Sequence, residues 1–121
     1  MKKHNHDRTR ASRRMVATLR VLQRELPALR TVKLRRRRLP DVEDAWATCE
    51  LVTEEEEEDE PAYFLISLDS RLPEPAASWA LLHELAHVLS WQTGGPRDET
   101  DHSPEWGLAM ARLYALWELL P

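Results

Sequence analysis

Apolar residues recur along the chain at two different periods, and the change of period divides it into elements. Between residues 9 and 29 they follow the three-and-four spacing of an amphipathic helix, which a proline should end near Leu26. Alternation of apolar and polar residues then predicts two short strands, in residues 31–39 and 45–52. Residues 62–69, AYFLISLD, are the most apolar segment of this kind and predict a third strand.

Helical periodicity returns in the last third of the chain. Pro75 near the start and the Gly-Gly-Pro triplet at 94–96 delimit one helix. Ser103 and Pro104 are residue types favoured at the N-cap and first position, and they predict a last helix running to about Leu120. The order α-β-β-β-α-α predicts an α+β fold with helices against one face of a three-stranded antiparallel sheet.

Composition predicts how these elements are organised. Residues 1–9 are polar and basic and predict a flexible N-terminus, whereas residues 10–121 have the size of a single domain. The segment TEEEEEDEP, residues 53–61, is too charged to pack and predicts a solvated loop between the second and third strands. Cys49 is the one cysteine, so an intramolecular disulfide framework and C-x-x-C zinc ribbons are excluded.

Charge is unevenly distributed between the two parts of the chain. Residues 1–40 carry a net charge of +12 and residues 41–121 one of −16. The basic half suggests a nucleic-acid partner, or the two halves simply attract one another; the sequence favours neither. No apolar run approaches a membrane span or a secretion signal, so we expect a soluble cytoplasmic protein, and the oligomeric state stays open.

The candidate chemistry lies in HELAH, residues 83–87. On a helix His83 and His87 fall on one side, one turn apart, while the opposite arc is apolar. Two such imidazoles can direct nitrogens at a common point about 2 Å from each, as zinc requires. Glu84 is too far round the helix to be a good third ligand, but it is placed to act as a base on water. The alternative is a pair of surface histidines without a function.

A catalytic zinc ion needs a third protein ligand. The candidates that follow the helix are Asp98, Glu99, Asp101, His102 and Glu105. His102 is favoured because it directly precedes the last helix and lies beyond a turn that lets the chain reverse. Glu105 is second, since a helix-borne glutamate is the third ligand in thermolysin-type sites. Thr93 stands where the metzincin spacing would require a histidine.

Taken together, LLHELAHVLSW and DHSPEWGLAMARLY resemble the core of the SprT-like zinc metallopeptidases and related small phage-type metallopeptidases. In that family H-E-x-x-H is followed by a pattern like H-G-x-x-[FW], which residues 102–106 match with Ser103 in place of the usual glycine. The resemblance spans about residues 44–117. It implies a zincin-like fold, one Zn²⁺ ion bound by His83, His87 and His102, and Glu84 as the catalytic base. It also implies that the strand at 62–69 lines the cleft and offers its edge to an extended substrate.

These observations favour a cytoplasmic zinc metallopeptidase, a hydrolase that cleaves peptide bonds of protein or peptide substrates with a water that zinc and Glu84 activate. One alternative is a nucleic-acid-associated protein whose basic N-terminal half binds phosphates and whose zinc site is structural. Another is a regulatory peptidase that cleaves one specific partner, such as a repressor. The carboxylate of Glu84 argues against the structural site, which needs ligands but no base.

Overall fold

The computed structural model describes residues 13–39, 46–52, 62–92 and 102–120. Its elements are, in chain order, α1 (Arg13–Glu25), β1 (Val32–Arg37), β2 (Ala47–Val52), β3 (Tyr63–Asp69), α2 (Glu74–Gln92) and α3 (Pro104–Glu118). The predicted α+β class and the order α-β-β-β-α-α are confirmed. The predicted flexible terminus (1–9), the acidic loop (53–61) and the candidate ligands Asp98, Glu99 and Asp101 lie outside the described residues. No helix within the described ranges has the length and apolar character needed to cross a membrane.

The three strands form a mixed sheet in the order β1-β3-β2. Strands β2 and β3, which are consecutive in the chain, are antiparallel, with Val52 opposite Tyr63. Strand β1, by contrast, runs parallel to β3, with Val32 opposite Phe64. The prediction of an antiparallel sheet is therefore wrong for one of its two strand pairs.

The composition of the strands explains why β3 takes the centre. Phe64, Ile66 and Leu68 alternate along it and are almost completely buried, whereas β1 carries cations whose side chains reach water more easily from an edge. Since β3 is paired on both sides, it has no edge for an extended substrate. The expectation that residues 62–69 bind a substrate in this way is wrong, and among the described strands β1 and β2 are the edges.

Helix α2 lies at the centre of the packing. Leu81, Leu82 and Leu85 are buried in the same cluster as the apolar residues of β3, and each such burial stabilises the fold by about 1.5–3 kcal/mol. The opposite side of α2 packs against α3, whose Trp106 donates a hydrogen bond to the backbone oxygen of His83. Part of the histidine side of α2 is therefore a helix–helix interface, whereas its polarity alone suggests a side that faces solvent throughout.

The turn between β3 and α2 is held by a buried arginine of β1. The guanidinium of Arg36 donates hydrogen bonds to the backbone oxygens of Asp69, Ser70 and Leu72, at 3.2, 3.3 and 2.6 Å. Asp69, which is completely buried, accepts hydrogen bonds from the side chain of Arg71 at 2.9 and 2.6 Å. These contacts fix where α2 begins, and with it the height of its histidines above the sheet.

Candidate metal centre

The three histidines selected from the sequence lie together. His83 and His87 are on α2, and His102 directly precedes α3. Their rings are separated by 4.9 to 5.3 Å between centroids, and one ligand nitrogen from each lies within 4.8 Å of the others. The metal-competent group found within the described ranges consists of these three and does not include Glu105. The preference for His102 over Glu105 as third ligand stays a prediction, which this arrangement supports.

One pair of the histidine nitrogens already has the spacing of two ligands on a tetrahedral ion. Nε2 of His102 lies 3.3 Å from Nε2 of His83, and two ligands about 2.0–2.1 Å from a tetrahedral zinc ion lie about 3.3–3.4 Å apart. Nε2 of His87 is buried and has no hydrogen-bond partner among the described residues. A buried polar atom left in this way is unfavourable unless something binds it. The three side chains can therefore hold a metal ion.

Burial keeps the imidazoles of α2 in the form that binds metals. It lowers the pKa of His87 to about 4, and repulsion from His83 and His102 acts in the same direction. The pKa of His83 is also lowered, first by burial and then by His102. Only a neutral imidazole has a nitrogen lone pair to offer a metal. At neutral pH both side chains are therefore available as ligands without a prior loss of protons.

The position of His102 follows from the cap of α3. Ser103 is the N-cap, its side-chain oxygen accepts a hydrogen bond from the backbone N–H of Trp106 at 3.2 Å, and Pro104 lies in the first turn. Both roles were predicted from the sequence and are confirmed. Because the cap fixes the backbone direction at the helix start, it directs the preceding residue, His102, towards α2.

Trp106 is a site residue that sequence reasoning treated only as part of a motif. Its ring packs against His102, His83 and His87 with centroid separations of 4.3, 5.1 and 5.7 Å. Its indole Nε1 donates a hydrogen bond of 3.3 Å to the backbone oxygen of His83. The signal was its place four residues after His102, the same separation that puts His87 beside His83. Trp106 thus supports all three candidate ligands at once.

Glu84 lies where the candidate metal site meets solvent. Its side chain is largely buried, yet Glu84 and His83 both line a pocket of about 710 Å³. The pocket extends from the two residues along the N-terminal half of α2 to the start of β2. A molecule in this pocket would therefore contact the carboxylate and one candidate ligand at the same time.

Comparisons with protein-family models, with curated protein sequences and with solved structures found no significant match. The resemblance to SprT-like metallopeptidases consequently depends on the two motifs alone.

Proposed function

We propose that this protein is a zinc-dependent peptidase in which His83, His87 and His102 hold the ion and Glu84 is the general base. The observation that carries the proposal is the convergence of three imidazoles beside a carboxylate that lines an open pocket. In such a peptidase the pocket admits the substrate, the histidines bind the metal, and the carboxylate moves the proton. The H-E-x-x-H spacing supports both assignments, and the packing of α3 on α2 supports the role of the three histidines.

Zinc is the metal that this set of donors favours. All three candidate ligands offer nitrogen, which suits Zn²⁺, whereas Ca²⁺ and Mg²⁺ prefer oxygen ligands. Three neutral imidazoles also leave the full charge of the ion in place. When bound, zinc polarises a carbonyl group and lowers the pKa of water from 15.7 to about 7.

Glu84 is placed to move the protons of the reaction. It follows His83 directly, so its side chain leaves the helix about 100° further round. The carboxylate is therefore next to the histidines of α2 but points in a different direction. Its carboxylate accepts a proton from the water that attacks the peptide carbonyl. It then gives that proton to the nitrogen of the departing amine, so that one group serves both halves of the hydrolysis. The histidines keep their positions throughout.

The geometry favours a catalytic site over a structural one. Structural zinc sites have four protein ligands and are closed, whereas catalytic sites have three and keep a position open. The group within the described part of the chain has three members and borders a pocket. This arrangement fits a general peptidase and also a regulatory peptidase that cleaves one partner. The two are distinguished by whether the protein cleaves many substrates or one.

The basic run in β1 gives less support to a nucleic-acid partner than the sequence suggests. Arg36 is buried and bonded to three backbone oxygens of the β3–α2 turn. Arg35 donates a hydrogen bond of 2.8 Å to the hydroxyl of Ser67 on the neighbouring strand. Two of the four consecutive arginines are thus engaged in hydrogen bonds within the protein and are less available to phosphates. We therefore favour a protein substrate as the partner.

Strand β2 is the edge that lies beside the pocket. Trp46 and Ala47, at its start, line the pocket together with His83 and Glu84. Within the described part of the sheet, β2 pairs with β3 alone and leaves its other side unpaired. We therefore propose that an extended substrate lies along β2, where backbone hydrogen bonds can hold it irrespective of its sequence.

The proposal is tested with zinc-loaded protein and unfolded casein at neutral pH, with and without a chelator. We expect cleavage that the chelator abolishes and that Glu84→Gln lowers by about 100-fold or more at unchanged zinc content. Glu25→Gln, on the exposed side of α1, is the matched control and should retain activity. If neither casein nor a mixture of cell proteins is cleaved in a chelator-sensitive way, the peptidase proposal is wrong. Equal activity of Glu84→Gln and the unmodified protein would exclude Glu84 as the base.

A further inference from the structure

The pocket beside the candidate metal centre is lined mainly by apolar side chains. Its walls come from the start of β2, the β3–α2 turn and the first turns of α2. Its apolar lining includes Trp46, Ala47, Leu72, Pro73, Ala76, Trp79 and Ala80. Its volume of about 710 Å³ lies within the range of roughly 300–1,000 Å³ that is typical of ligand pockets.

The pocket exists because of small residues on one stripe of α2. Ala76, Ala80 and His83 follow one another at helical spacing, so the stripe leads from the pocket to the candidate ligand. A larger side chain at either alanine would occupy space that is now open. Trp79 stands beside this stripe, four residues before His83, and forms a wall. The helix therefore provides a cavity and a metal ligand on the same side.

Two large apolar side chains at the pocket remain in contact with water. Trp46 is 62% exposed and Trp79 is 49% exposed. Covering such rings is favourable at about 25 cal/mol per Å² of apolar surface, and tryptophan is enriched among the residues that dominate binding energies. A partner that places an apolar group between them would gain this contribution.

Apart from the charge of a bound metal ion, the charges at the pocket disfavour an acidic group. Arg71 is the basic residue that lines it, but the guanidinium is bonded to the buried carboxylate of Asp69 at 2.6 and 2.9 Å. Its charge is thus compensated within the protein. Glu84 lines the same pocket from α2 and would repel a second carboxylate. The pocket is therefore suited to an uncharged apolar group.

We propose that this pocket is a specificity subsite that binds a large apolar side chain, such as Phe, Trp or Leu, from the substrate residue next to the scissile bond. The inference rests on the proposed peptidase function, because it assigns the scissile bond to the metal centre. His83 and Glu84 belong both to the pocket wall and to the candidate site. A peptide whose carbonyl lies at the metal therefore has its adjacent side chain at the entrance of the pocket.

The size of the pocket sets the expected selectivity. An alanine side chain leaves most of the cavity unfilled, whereas phenylalanine or leucine removes apolar surface of both partners from water. A difference of one methylene group in an apolar site corresponds to roughly 10- to 200-fold in kcat/KM. We therefore expect at least about tenfold preference for phenylalanine over alanine, and a further disadvantage for aspartate.

The test uses short blocked peptides that differ at one position, occupied by Phe, Leu, Ala or Asp. Cleavage is measured as kcat/KM for the zinc-loaded protein, and the cleaved bond is located by mass spectrometry. Binding is measured separately with zinc-loaded Glu84→Gln, from the shifts of the tryptophan indole N–H signals in NMR spectra. The two readouts separate the pocket from the chemistry, because binding does not require hydrolysis.

Ala76→Phe fills the pocket, and Ala115→Phe is the matched control. Both alanines are exposed helix residues, but Ala115 lies on α3 and does not line the pocket. We expect Ala76→Phe to lower both the affinity and kcat/KM for the Phe peptide at least about tenfold while the Ala peptide is little affected. Ala115→Phe should leave the preference unchanged. Trp79→Ala provides a second variant. It should lower the affinity and kcat/KM for the Phe peptide more than those for the Ala peptide.

The possible results distinguish the two proposals. Binding of the Phe peptide that Ala76→Phe removes, without cleavage of any peptide, supports the apolar subsite and contradicts the peptidase. Cleavage of all four peptides at similar rates, or a preference that Ala76→Phe and Trp79→Ala leave intact, overturns the subsite while the peptidase remains. Absence of both binding and cleavage overturns the subsite as well.

Discussion

The indole Nε1 of Trp106 donates a hydrogen bond of 3.3 Å to the backbone oxygen of His83. This bond joins the first turn of α3 to the middle of α2 at the residue that begins the H-E-x-x-H motif. The same indole ring lies 4.3 Å from the ring of His102. One side chain therefore holds histidines from distant parts of the chain in a common geometry.

Trp106→Ala should lower zinc affinity by about 10- to 100-fold, the range found when residues that orient metal ligands are removed. Trp106→Phe should have a smaller effect, because it keeps an aromatic ring against the histidines and loses the hydrogen bond. Zinc affinity is measured by competition with a chromogenic chelator. Trp46→Ala truncates an exposed tryptophan whose ring is not the one packed against the three histidines; it is the control and should leave affinity unchanged. Equal affinity of Trp106→Ala and the unmodified protein would show that Trp106 does not support the site.

His102→Ala should reduce zinc affinity by more than the loss expected for Trp106→Ala, that is by more than about 100-fold, because it removes a direct ligand. Glu105→Gln tests the alternative third ligand, which lies in the first turn of α3. This variant should bind zinc with unchanged affinity. Metal content after dialysis gives the stoichiometry, and competition titration gives the affinity. A one-to-one zinc content that survives His102→Ala but not Glu105→Gln would transfer the role to Glu105.

Arg36→Met should destabilise the protein by about 2–4 kcal/mol, because it leaves backbone oxygens of the β3–α2 turn without their donor. Arg38→Met is the control, since Arg38 is exposed just beyond the end of β1, and should change stability by less than about 0.5 kcal/mol. Chemical unfolding of the zinc-loaded proteins measures both. Similar midpoints for the two variants would mean that the turn does not depend on Arg36.

Asp69 should make part of the free energy of unfolding depend on pH. The side-chain hydrogen bonds from Arg71 outweigh the opposing effect of burial and lower the pKa of Asp69 from 3.8 to about 2. The folded state therefore binds this proton less readily than the unfolded state does. The stabilisation is complete above about pH 4 and is lost as the pH falls through about 2.

Asp69→Asn should accordingly lower the free energy of unfolding by about 1–3 kcal/mol at neutral pH. The difference from the unmodified protein should shrink between about pH 4 and pH 2. Unfolding is followed by circular dichroism across this range. Glu50→Gln, an exposed carboxylate on β2, controls for the change of net charge. A difference that stays constant down to pH 2 would contradict the ion pair as its source.

Local patterns were sufficient for the elements and for the identity of the candidate ligands. The two apolar periods located all six helices and strands of the described ranges to within a few residues, since backbone hydrogen bonding and side-chain direction follow from neighbours in sequence. The cap at Ser103 and Pro104 was equally predictable. The H-E-x-x-H spacing selected His83 and His87 because one helical turn alone makes them neighbours.

Such local patterns could not predict the direction of β1 relative to β3. Alternation along a strand states which residues share a face, but it does not state which strand becomes the neighbour. That choice depends on how completely β3 is buried between its two partners, which is a property of the whole sheet. The antiparallel prediction was wrong for β1, and the substrate edge assigned to β3 was wrong, for this reason.

By itself, then, the sequence determined the secondary structure, the N-terminal cap of α3 and three histidines of the right type with a glutamate beside two of them. Only the tertiary structure decided that α3 covers the histidine side of α2, so that Nε2 of His102 comes within 3.3 Å of Nε2 of His83. It alone also placed Trp106 against all three rings and opened an apolar pocket beside Glu84. The physical reason is that such contacts join residues far apart in the chain, and their distances depend on how the helices pack.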